Sequence, residues 1–322
     1  MRTMIAGLPG QFSWALDAVP EAPSVDPADV LVVGMGGSGI SGDVARAVNP
    51  STRIDVVKGY RLPGWAAASR PIVVGVSYSG TTEETRAALA EATDLGLTTM
   101  TITSSGPIGG EVGHLTVPGG LQPRAAFGYL SAGLLTLLHG AGLIDDPRSG
   151  IEETAAVTAD LLGADLDGPA ALLAGDLTDA LMGRIPFVYG SPGITGVAAY
   201  RWKTQVNENG KLPAAANLLP ELDHNELAGW RGSDQERRIG IVHLRDRDQH
   251  PQVARRFAET ADLTPTPTVG EVLSQGEHLL ARLLSLTTVG DLVSLFLAER
   301  DAVDPVDVEV LTELKHRLEE QP

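Results

Sequence analysis

A short apolar run that ends in a glycine-rich turn constrains the fold of this chain more than any other feature. Val30–Val33 is followed by the sequence GMGGSG at residues 34–39, and then by apolar residues at helical spacing. This order predicts a strand, a tight turn and a helix. Strand candidates at residues 54–57, 72–76 and 98–103 extend the pattern, with an alanine-rich helix before the last of them. Such alternation predicts a parallel sheet with both faces covered by helices.

The second half of the chain repeats this order. Residues 185–189 predict a strand, the GSPG sequence at residues 190–193 predicts a turn, and the segment that follows predicts a helix. Between the halves, residues 145–150 are polar and contain proline and glycine, which is typical of a linker. We therefore predict an α/β protein of two duplicated domains, residues 1–150 and 151–322.

Composition narrows the possible functions. The chain has no cysteine, which excludes a disulfide framework, a thiolate metal site and a cysteine nucleophile. Apolar stretches such as residues 125–138 fall short of the roughly 20 residues that span a bilayer, and no basic segment followed by a hydrophobic run opens the chain. We therefore predict a cytoplasmic protein without a membrane partner.

The net charge of −17 comes from 41 acidic and 24 basic side chains. A surface of this charge disfavours nucleic acid as a partner. It also repels an anionic ligand, so a phosphate must be held by backbone N–H groups, hydroxyls and a few well-placed cations.

The glycine-rich turn has two functional interpretations. A turn of this kind that opens a helix presents free N–H groups and the positive end of the helix dipole, which together form an anion site. Gly34, Gly36 and Gly39 also fit the spacing of dinucleotide-binding proteins, which need an acidic residue at the end of the second strand. Asp55 stands at the start of that strand and Lys58 at its end, so this alternative fits poorly.

A second polar loop favours a phosphate ligand. Ser77, Ser79, Thr81 and Thr82 follow a strand and precede a helix, and Gly80 frees the backbone among them. Hydroxyl donors that converge on a helix N-terminus suit a phosphomonoester. The structural alternative is a capped loop without a ligand, in which a threonine here, or the serine of the first loop, serves as an N-cap.

The GMGGSG and SYSGTT loops together resemble the sugar isomerase (SIS) domain. This resemblance implies two flavodoxin-like SIS subdomains, each a parallel sheet flanked by helices, and a phosphosugar ligand. It implies a ligand class rather than a reaction, because SIS proteins include isomerases, an aminotransferase domain and regulators that only sense sugar phosphates. The phosphate-binding residues that it implies are Gly37, Ser38, Ser77, Ser79 and Thr82.

Other segments resemble a narrower family, the bifunctional phosphoglucose/phosphomannose isomerases. They are YRWKTQVNENGK at residues 200–211, PELDHNE at residues 220–226 and the tail that ends in Leu314 and Lys315. The resemblance implies interconversion of glucose 6-phosphate or mannose 6-phosphate with fructose 6-phosphate in a homodimer. The active site would lie at the subunit interface.

The same resemblance implies four catalytic roles. Glu208 is the implied base, Arg124 stabilises the enediolate, and His224 and Lys315 assist ring opening, with His224 contributed across the interface. The chemistry needs such groups independently, because moving a proton between adjacent carbons requires a carboxylate base and a cation where negative charge develops. Each residue also has a structural alternative, such as a solvated helix end for Glu208.

No cofactor and no metal are expected. The seven histidines are scattered without the spacing of paired metal ligands. Thr81, Asp223 and Val306 depart from residues common in the family. Thr81 keeps a hydroxyl in the phosphate loop, whereas Asp223 and Val306 are expected to alter the region of the base or the sugar pocket, and with it the choice of sugar. The alternatives left open are a phosphosugar-binding regulator without turnover and a nucleotide-dependent oxidoreductase.

Overall fold

A computed structural model describes residues 1–26, 28–109, 111–230, 238–264 and 266–319 of the chain. The strands of this part are β1 (Val30–Val33), β2 (Ile54–Val57), β3 (Ile72–Val76), β4 (Thr99–Thr103), β5 (Gly113–Thr116), β6 (Ile185–Gly190), β7 (Ala215–Leu218), β8 (Ile239–Arg245) and β9 (Thr268–Leu273). The helices before residue 150 are α1 (Arg2–Ala6), α2 (Leu8–Asp17), α3 (Gly36–Val48), α4 (Ala66–Ser69), α5 (Glu83–Asp94), α6 (Phe127–Gly140) and α7, which begins there (Arg148–Leu162). The later helices are α8 (Pro169–Leu181), α9 (Ile194–Glu208), α10 (Glu226–Gly229), α11 (Pro251–Leu263), α12 (Leu279–Arg300) and α13 (Glu309–Glu319).

The strands form two parallel sheets with the same strand order. The first sheet has the order β2-β1-β3-β4-β5 and the second has β7-β6-β8-β9. Every strand pairing within them is parallel. The second sheet repeats the order of the first four strands, so the prediction of a duplicated α/β fold is confirmed.

The central strands of the first sheet are buried along their whole length because they are continuously apolar. All four residues of β1 and all five of β3 are buried, as expected for parallel strands covered on both faces. The carboxyl ends of β1 and β3 lie side by side, since these strands are neighbours in the first sheet. This arrangement places the GMGGSG and SYSGTT loops next to each other.

Helix α12 is the centre of the core shared by the two halves. It packs against α7, α8 and α9, and Trp202 of α9 donates its Nε1–H to the carbonyl of Leu286 at 2.8 Å. A Cβ on Gly290 would lie 2.4 Å from the Trp202 ring, so only glycine permits this close contact. By length and composition α12 is also able to cross a membrane, but 89% of its most apolar window is buried inside the protein.

Several elements were not predicted from the sequence. Helices α1, α2 and α8 and strands β5 and β7 carry no strong alternation or turn signal. The domain boundary predicted after residue 150 lies within the first turn of α7, and the division into domains stays a prediction.

Candidate active site

The glycine-rich loop is compressed between β1, β3 and the segment around Arg124. A Cβ on Gly34 would lie 2.8 Å from the carbonyl oxygen of Val76, and a Cβ on Gly39 would lie 2.4 Å from that of Gly34. On the other side, a Cβ on Gly37 would lie 2.9 Å from Cα of Arg124. The glycines are therefore required by close backbone approach, which brings the start of α3 directly against the Arg124 segment.

The predicted phosphate-binding hydroxyls link the two loops. Ser38 Oγ accepts a hydrogen bond from the backbone N–H of Tyr78 at 3.1 Å, and Ser38 is buried. Ser77 is also buried and donates its hydroxyl to Thr82 Oγ1 at 2.9 Å. Ser79 is exposed on the same loop. These contacts hold the hydroxyls at the N-termini of α3 and α5, where an anion is favoured.

The capping alternative for these hydroxyls is wrong in its simple form. The N-cap position of α3 is Met35, so Ser38 lies inside the helix rather than before it. Thr82 does occupy the N-cap position of α5, but its side chain makes no capping hydrogen bond. Neither hydroxyl is therefore accounted for by helix capping.

The end of β2 disfavours a dinucleotide ligand. Lys58 stands where a ribose-binding carboxylate is needed, and its Nζ lies 2.5 Å from Asp43 Oδ2 and 4.5 Å from the centre of the Tyr200 ring. Asp55, at the other end of the strand, pairs with Arg53 at 3.4 Å. An acidic side chain suited to a ribose is thus not offered by β2.

Arg124 and Glu208 form the charged centre of the site. The Nη1 atom of Arg124 lies 3.4 Å from Oε2 of Glu208, and the side chains are 4% and 30% exposed respectively. Arg124 Nε donates to Asn209 Oδ1 at 2.8 Å, and its Nη2 donates to the carbonyl of Pro305 at 2.8 Å. The guanidinium is therefore fixed on two sides, and its third nitrogen faces a partly accessible carboxylate.

Burial has an electrostatic cost for Arg124. Burial lowers the pKa of its guanidinium, and the neighbouring carboxylate of Glu208 opposes that shift. An arginine still carries its charge at neutral pH, so a fixed cation lies beside Glu208.

A buried ion pair supports the Arg124 backbone. Arg201 of α9 donates to the carbonyl of Arg124 at 3.2 Å and pairs with Asp291 of α12 at 2.7 Å. The Arg201 guanidinium also lies 3.8 Å from the centre of the Phe127 ring. The segment that carries Arg124 is therefore attached to both helices of the shared core.

Two residues without a predicted role connect the site to its surroundings. The hydroxyl of Tyr78 donates to the carbonyl of Pro118 at 2.9 Å and accepts from the N–H of Leu121 at 3.1 Å, three residues before Arg124. Lys211 Nζ donates to the carbonyls of Glu208 and Asp307, both at 2.5 Å. Their position inside the recognised motifs was the only sequence signal for either.

The structure does not bring His224 to Glu208. His224 ends a 3₁₀ helix, Glu221–His224, and is exposed. In the described part of the chain its ring makes no hydrogen bond or ion pair. The residue before it is held firmly, since Asp223 pairs with Arg256 at 2.6 Å and accepts from Thr260 at 2.8 Å.

Lys315 likewise makes no hydrogen bond or ion pair with the charged centre in the described part of the chain. It is exposed on α13 and forms no ion pair with any residue that the structure describes. Other exposed side chains of this helix are large and apolar, namely Val310, Leu311, Leu314 and Leu318. The roles of Lys315 and His224 therefore stay predictions, whereas Gly37, Arg124 and Glu208 are neighbours within one chain.

A metal centre is not offered by the described residues, where no group of three or more histidine, aspartate or glutamate side chains is arranged to hold an ion.

The fold is shared with solved structures. The C-terminal domain of glucosamine-fructose-6-phosphate aminotransferase from Francisella tularensis superposes with a TM-score of 0.69 over 95% of this chain and 97% of that one, at 15% identity.

Sequence relatives identify the family. The family model described as the bacterial phospho-glucose isomerase C-terminal SIS domain matches residues 168–318. A bifunctional phosphoglucose/phosphomannose isomerase from Caldicellulosiruptor bescii is 38% identical over 90% of this chain and 89% of its own length. One from Thermoplasma acidophilum is 34% identical over 90% of each chain. With this similarity across both halves and the clustered motif residues, the chain belongs to the family of bifunctional phosphoglucose/phosphomannose isomerases.

Proposed function

We propose that this protein is an aldose–ketose isomerase that converts glucose 6-phosphate or mannose 6-phosphate into fructose 6-phosphate through a cis-enediol. The two aldoses differ only at carbon 2, which becomes planar in the enediol. One intermediate therefore serves both substrates, and the site needs only a pocket that accepts both epimers.

The observation that carries this proposal is the ion pair between Arg124 and Glu208 beside the glycine-rich loop. The loop approaches Arg124 so closely at Gly37 that a phosphate at the α3 N-terminus and a reacting carbon near Glu208 fit one ligand. A sensor of sugar phosphates needs the loop but has no use for a buried cation beside a carboxylate.

The proton transfer follows from these positions. The Glu208 carboxylate takes the proton from carbon 2 of the open aldose, and the electron pair of that bond forms the double bond between carbons 1 and 2. Negative charge develops on the former aldehyde oxygen, where the Arg124 guanidinium stabilises it. Glu208 then returns the proton to carbon 1, while the proton of the carbon 2 hydroxyl passes to the oxygen on carbon 1, so that carbon 2 becomes the ketone and carbon 1 carries the hydroxyl. No electrons are gained or lost overall, so the route needs no redox cofactor, and the Arg124 guanidinium supplies the positive charge that a Lewis-acid metal would otherwise supply.

Substrate binding is assigned to the two loops. The backbone at Gly37 and the hydroxyls of Ser38, Ser77, Ser79 and Thr82 bind the phosphate dianion at the positive ends of α3 and α5.

Ring opening and assembly complete the proposal. His224 and Lys315 assist opening of the cyclic sugar, with His224 supplied by a second subunit of a homodimer. Their exposure in the single chain supports this assignment, as do the exposed apolar side chains of α13, because such patches are typical of interaction surfaces. A cytoplasmic location remains a prediction, which fractionation of cells tests.

The direct test measures fructose 6-phosphate formation from each aldose phosphate with a coupled assay. Glu208→Gln removes the base without changing the shape of the side chain, so kcat should fall by about 10²–10⁴-fold. Glu259→Gln is the matched control and should keep the wild-type kcat, because Glu259 is exposed and its ion pair among the described residues is with Arg255. Wild-type protein that binds hexose phosphates without turnover would instead support the regulatory alternative.

Two further measurements address the mechanism and the assembly. In D₂O an enediol route introduces deuterium into the product, whereas a hydride shift does not. Mixing inactive Glu208→Gln and His224→Ala homodimers restores activity only if subunits exchange and each site takes residues from both chains. Failure of a mixed dimer with demonstrated exchange would place both residues in one subunit.

A further inference from the structure

We propose that Asn209 is a positioning residue, which aims the Arg124 guanidinium at the atom where negative charge develops. This inference rests on the proposed function, because it assigns a task to a residue that acts through Arg124. Asn209 follows Glu208 directly in the chain, so one peptide unit connects the carboxylate to the residue that orients its cation.

The Asn209 side chain has a single possible orientation. Arg124 Nε is only a donor, so the atom of Asn209 that lies 2.8 Å from it must be the amide oxygen. On the other side, the Asn209 amide donates to Ser294 Oγ at 3.0 Å, while the Ser294 hydroxyl donates to the carbonyl of Asp291 at 2.7 Å. A flipped amide would place the NH₂ group of Asn209 against the Nε–H of Arg124, and both groups are donors. The amide is therefore fixed at both ends, and Asn209 is fully buried.

This fixed amide determines where the guanidinium points. The guanidinium is planar, so an acceptor on Nε and another on Nη2, the carbonyl of Pro305 at 2.8 Å, define its plane and rotation. The remaining nitrogen, Nη1, then lies 3.4 Å from Glu208 Oε2. Without the Asn209 acceptor, the long arginine side chain rotates about its terminal bonds, and Nη1 leaves this position.

The backbone does not fix the guanidinium by itself. Contacts from Gly37 and Arg201 hold the main chain of Arg124, but they end at its Cα, N and carbonyl oxygen. The orientation of the charged end depends on Asn209 at Nε and on two carbonyls at Nη2, those of Pro305 at 2.8 Å and Val306 at 3.4 Å. Loss of the Asn209 side chain should therefore leave the Arg124 backbone in place while its guanidinium loses its orientation.

The test compares two asparagines that flank Glu208. Asn209→Ala removes the Nε acceptor, and Asn207→Ala is the matched control, because Asn207 donates to the carbonyl of Leu212 at 2.7 Å and does not contact Arg124 through a hydrogen bond. We expect Asn209→Ala to lower kcat by about 10–30-fold with KM changed less than about threefold, since orientation matters most in the transition state. Asn207→Ala should keep the wild-type kcat.

A double-mutant cycle separates positioning from a general structural effect. In an Arg124→Met background there is no guanidinium to orient, so adding Asn209→Ala should leave kcat unchanged. An equal loss of kcat in both backgrounds would mean that Asn209 only stabilises the fold, and it would overturn the inference. Wild-type kcat in Asn209→Ala would overturn it as well.

The outcomes also distinguish this inference from the proposed function. If Arg124→Met lowers kcat and Asn209→Ala does not, the inference about Asn209 is wrong and the proposed function stands. If Arg124→Met keeps the wild-type kcat, Arg124 has no catalytic role, and the inference about Asn209 fails with it. If Asn209→Ala does not fold, Ser294→Ala makes the same comparison, because it frees the far end of the amide. We expect about a threefold loss of kcat from Ser294→Ala, and no loss would again refute the proposal.

Discussion

Replacement of Gly37 by alanine tests whether the phosphate loop and the catalytic cation are mechanically coupled. The new Cβ would lie 2.9 Å from Cα and 3.0 Å from N of Arg124, and 3.0 Å from the carbonyl oxygen of Pro123. Carbon atoms pack at about 3.5–4.0 Å, so the two backbone segments must separate by roughly 0.6 Å. None of these atoms belongs to a flexible side chain that rotates away.

The expected magnitude follows from this displacement. Overpacking of this kind costs about 1–3 kcal/mol of stability, which lowers Tm by about 2–6 °C. A displacement of about 1 Å at a reacting centre costs about 100-fold in rate, so a shift of roughly half that size lowers kcat about tenfold. The loss of kcat is larger than the loss of stability alone explains, because most of the variant remains folded at 25 °C.

The assay combines coupled kinetics with thermal unfolding. Gly64→Ala is the control, since a Cβ there meets nothing within 4 Å, and it should leave kcat and Tm unchanged. A Gly37→Ala protein with wild-type kcat would refute the reasoning, because the Arg124 segment would then tolerate displacement. A normal Tm with reduced kcat would still support coupling between the glycine-rich loop and Arg124, and it would show that the surrounding core relaxes around the new Cβ.

Two further predictions concern other parts of the second half. Burial lowers the pKa of His243 to about 4. The His243 imidazole therefore stays neutral in the folded protein, while in the unfolded chain it takes up a proton below about pH 6.5. The free energy of unfolding therefore falls by on the order of 3 kcal/mol as the pH drops from 6.5 to 4. In denaturant unfolding, His243→Gln should lack this decrease. Next to His224, Arg256→Ala removes the ion pair of Asp223 and leaves it only the hydrogen bond from Thr260, so exchange between the anomers of glucose 6-phosphate, which requires ring opening, should slow by about threefold to tenfold.

Each of these predictions has its own control. Gly64→Ala, which adds a Cβ to open space and no titratable group, should leave the pH dependence of unfolding as it is in the wild type. Equal pH dependence in the His243→Gln and wild-type proteins would contradict the first prediction. Arg255→Ala removes an exposed ion pair from the same helix as Arg256 and should not slow anomer exchange. Equal exchange rates in the two arginine variants would show that the segment around His224 holds its shape without the ion pair between Arg256 and Asp223.

The sequence predicted the architecture because its signals are local. Val30–Val33 and Ile72–Val76 are continuous apolar runs bounded by glycine and serine, and both are strands with the predicted limits. Strand β7 was missed, since Ala215–Leu218 is short, half-buried and only moderately apolar. It forms because the edge of β6 supplies its hydrogen-bond partners, which no local pattern reveals.

The site was predictable only in part, for the same reason. Motifs identified Glu208 and Arg124, which are 84 positions apart, but their contact depends on the packing of α9 and α12 against the Arg124 segment. The partners that fix Arg124 are Asn209 and a backbone carbonyl, and a carbonyl leaves no mark in a sequence. His224 and Lys315 were expected in the site, and the single chain leaves both exposed.

The duplicated fold explains how the two halves divide the work. In the first half, the turn after the first strand carries hydroxyls that reach across to the neighbouring loop, as Ser38 does to Tyr78. In the second half, the corresponding turn closes on itself, because Thr195 Oγ1 accepts from the N–H of Ser191 at 2.8 Å and donates to its carbonyl at 3.0 Å. The hydroxyl of Thr195 and the backbone groups of Ser191 are thus hydrogen-bonded to each other within the turn. The helix it opens contributes at its opposite end instead, where Glu208 meets Arg124. In the proposed mechanism, one copy of the fold thus supplies the anion site and the other supplies the base, and both pack on the shared core around α12.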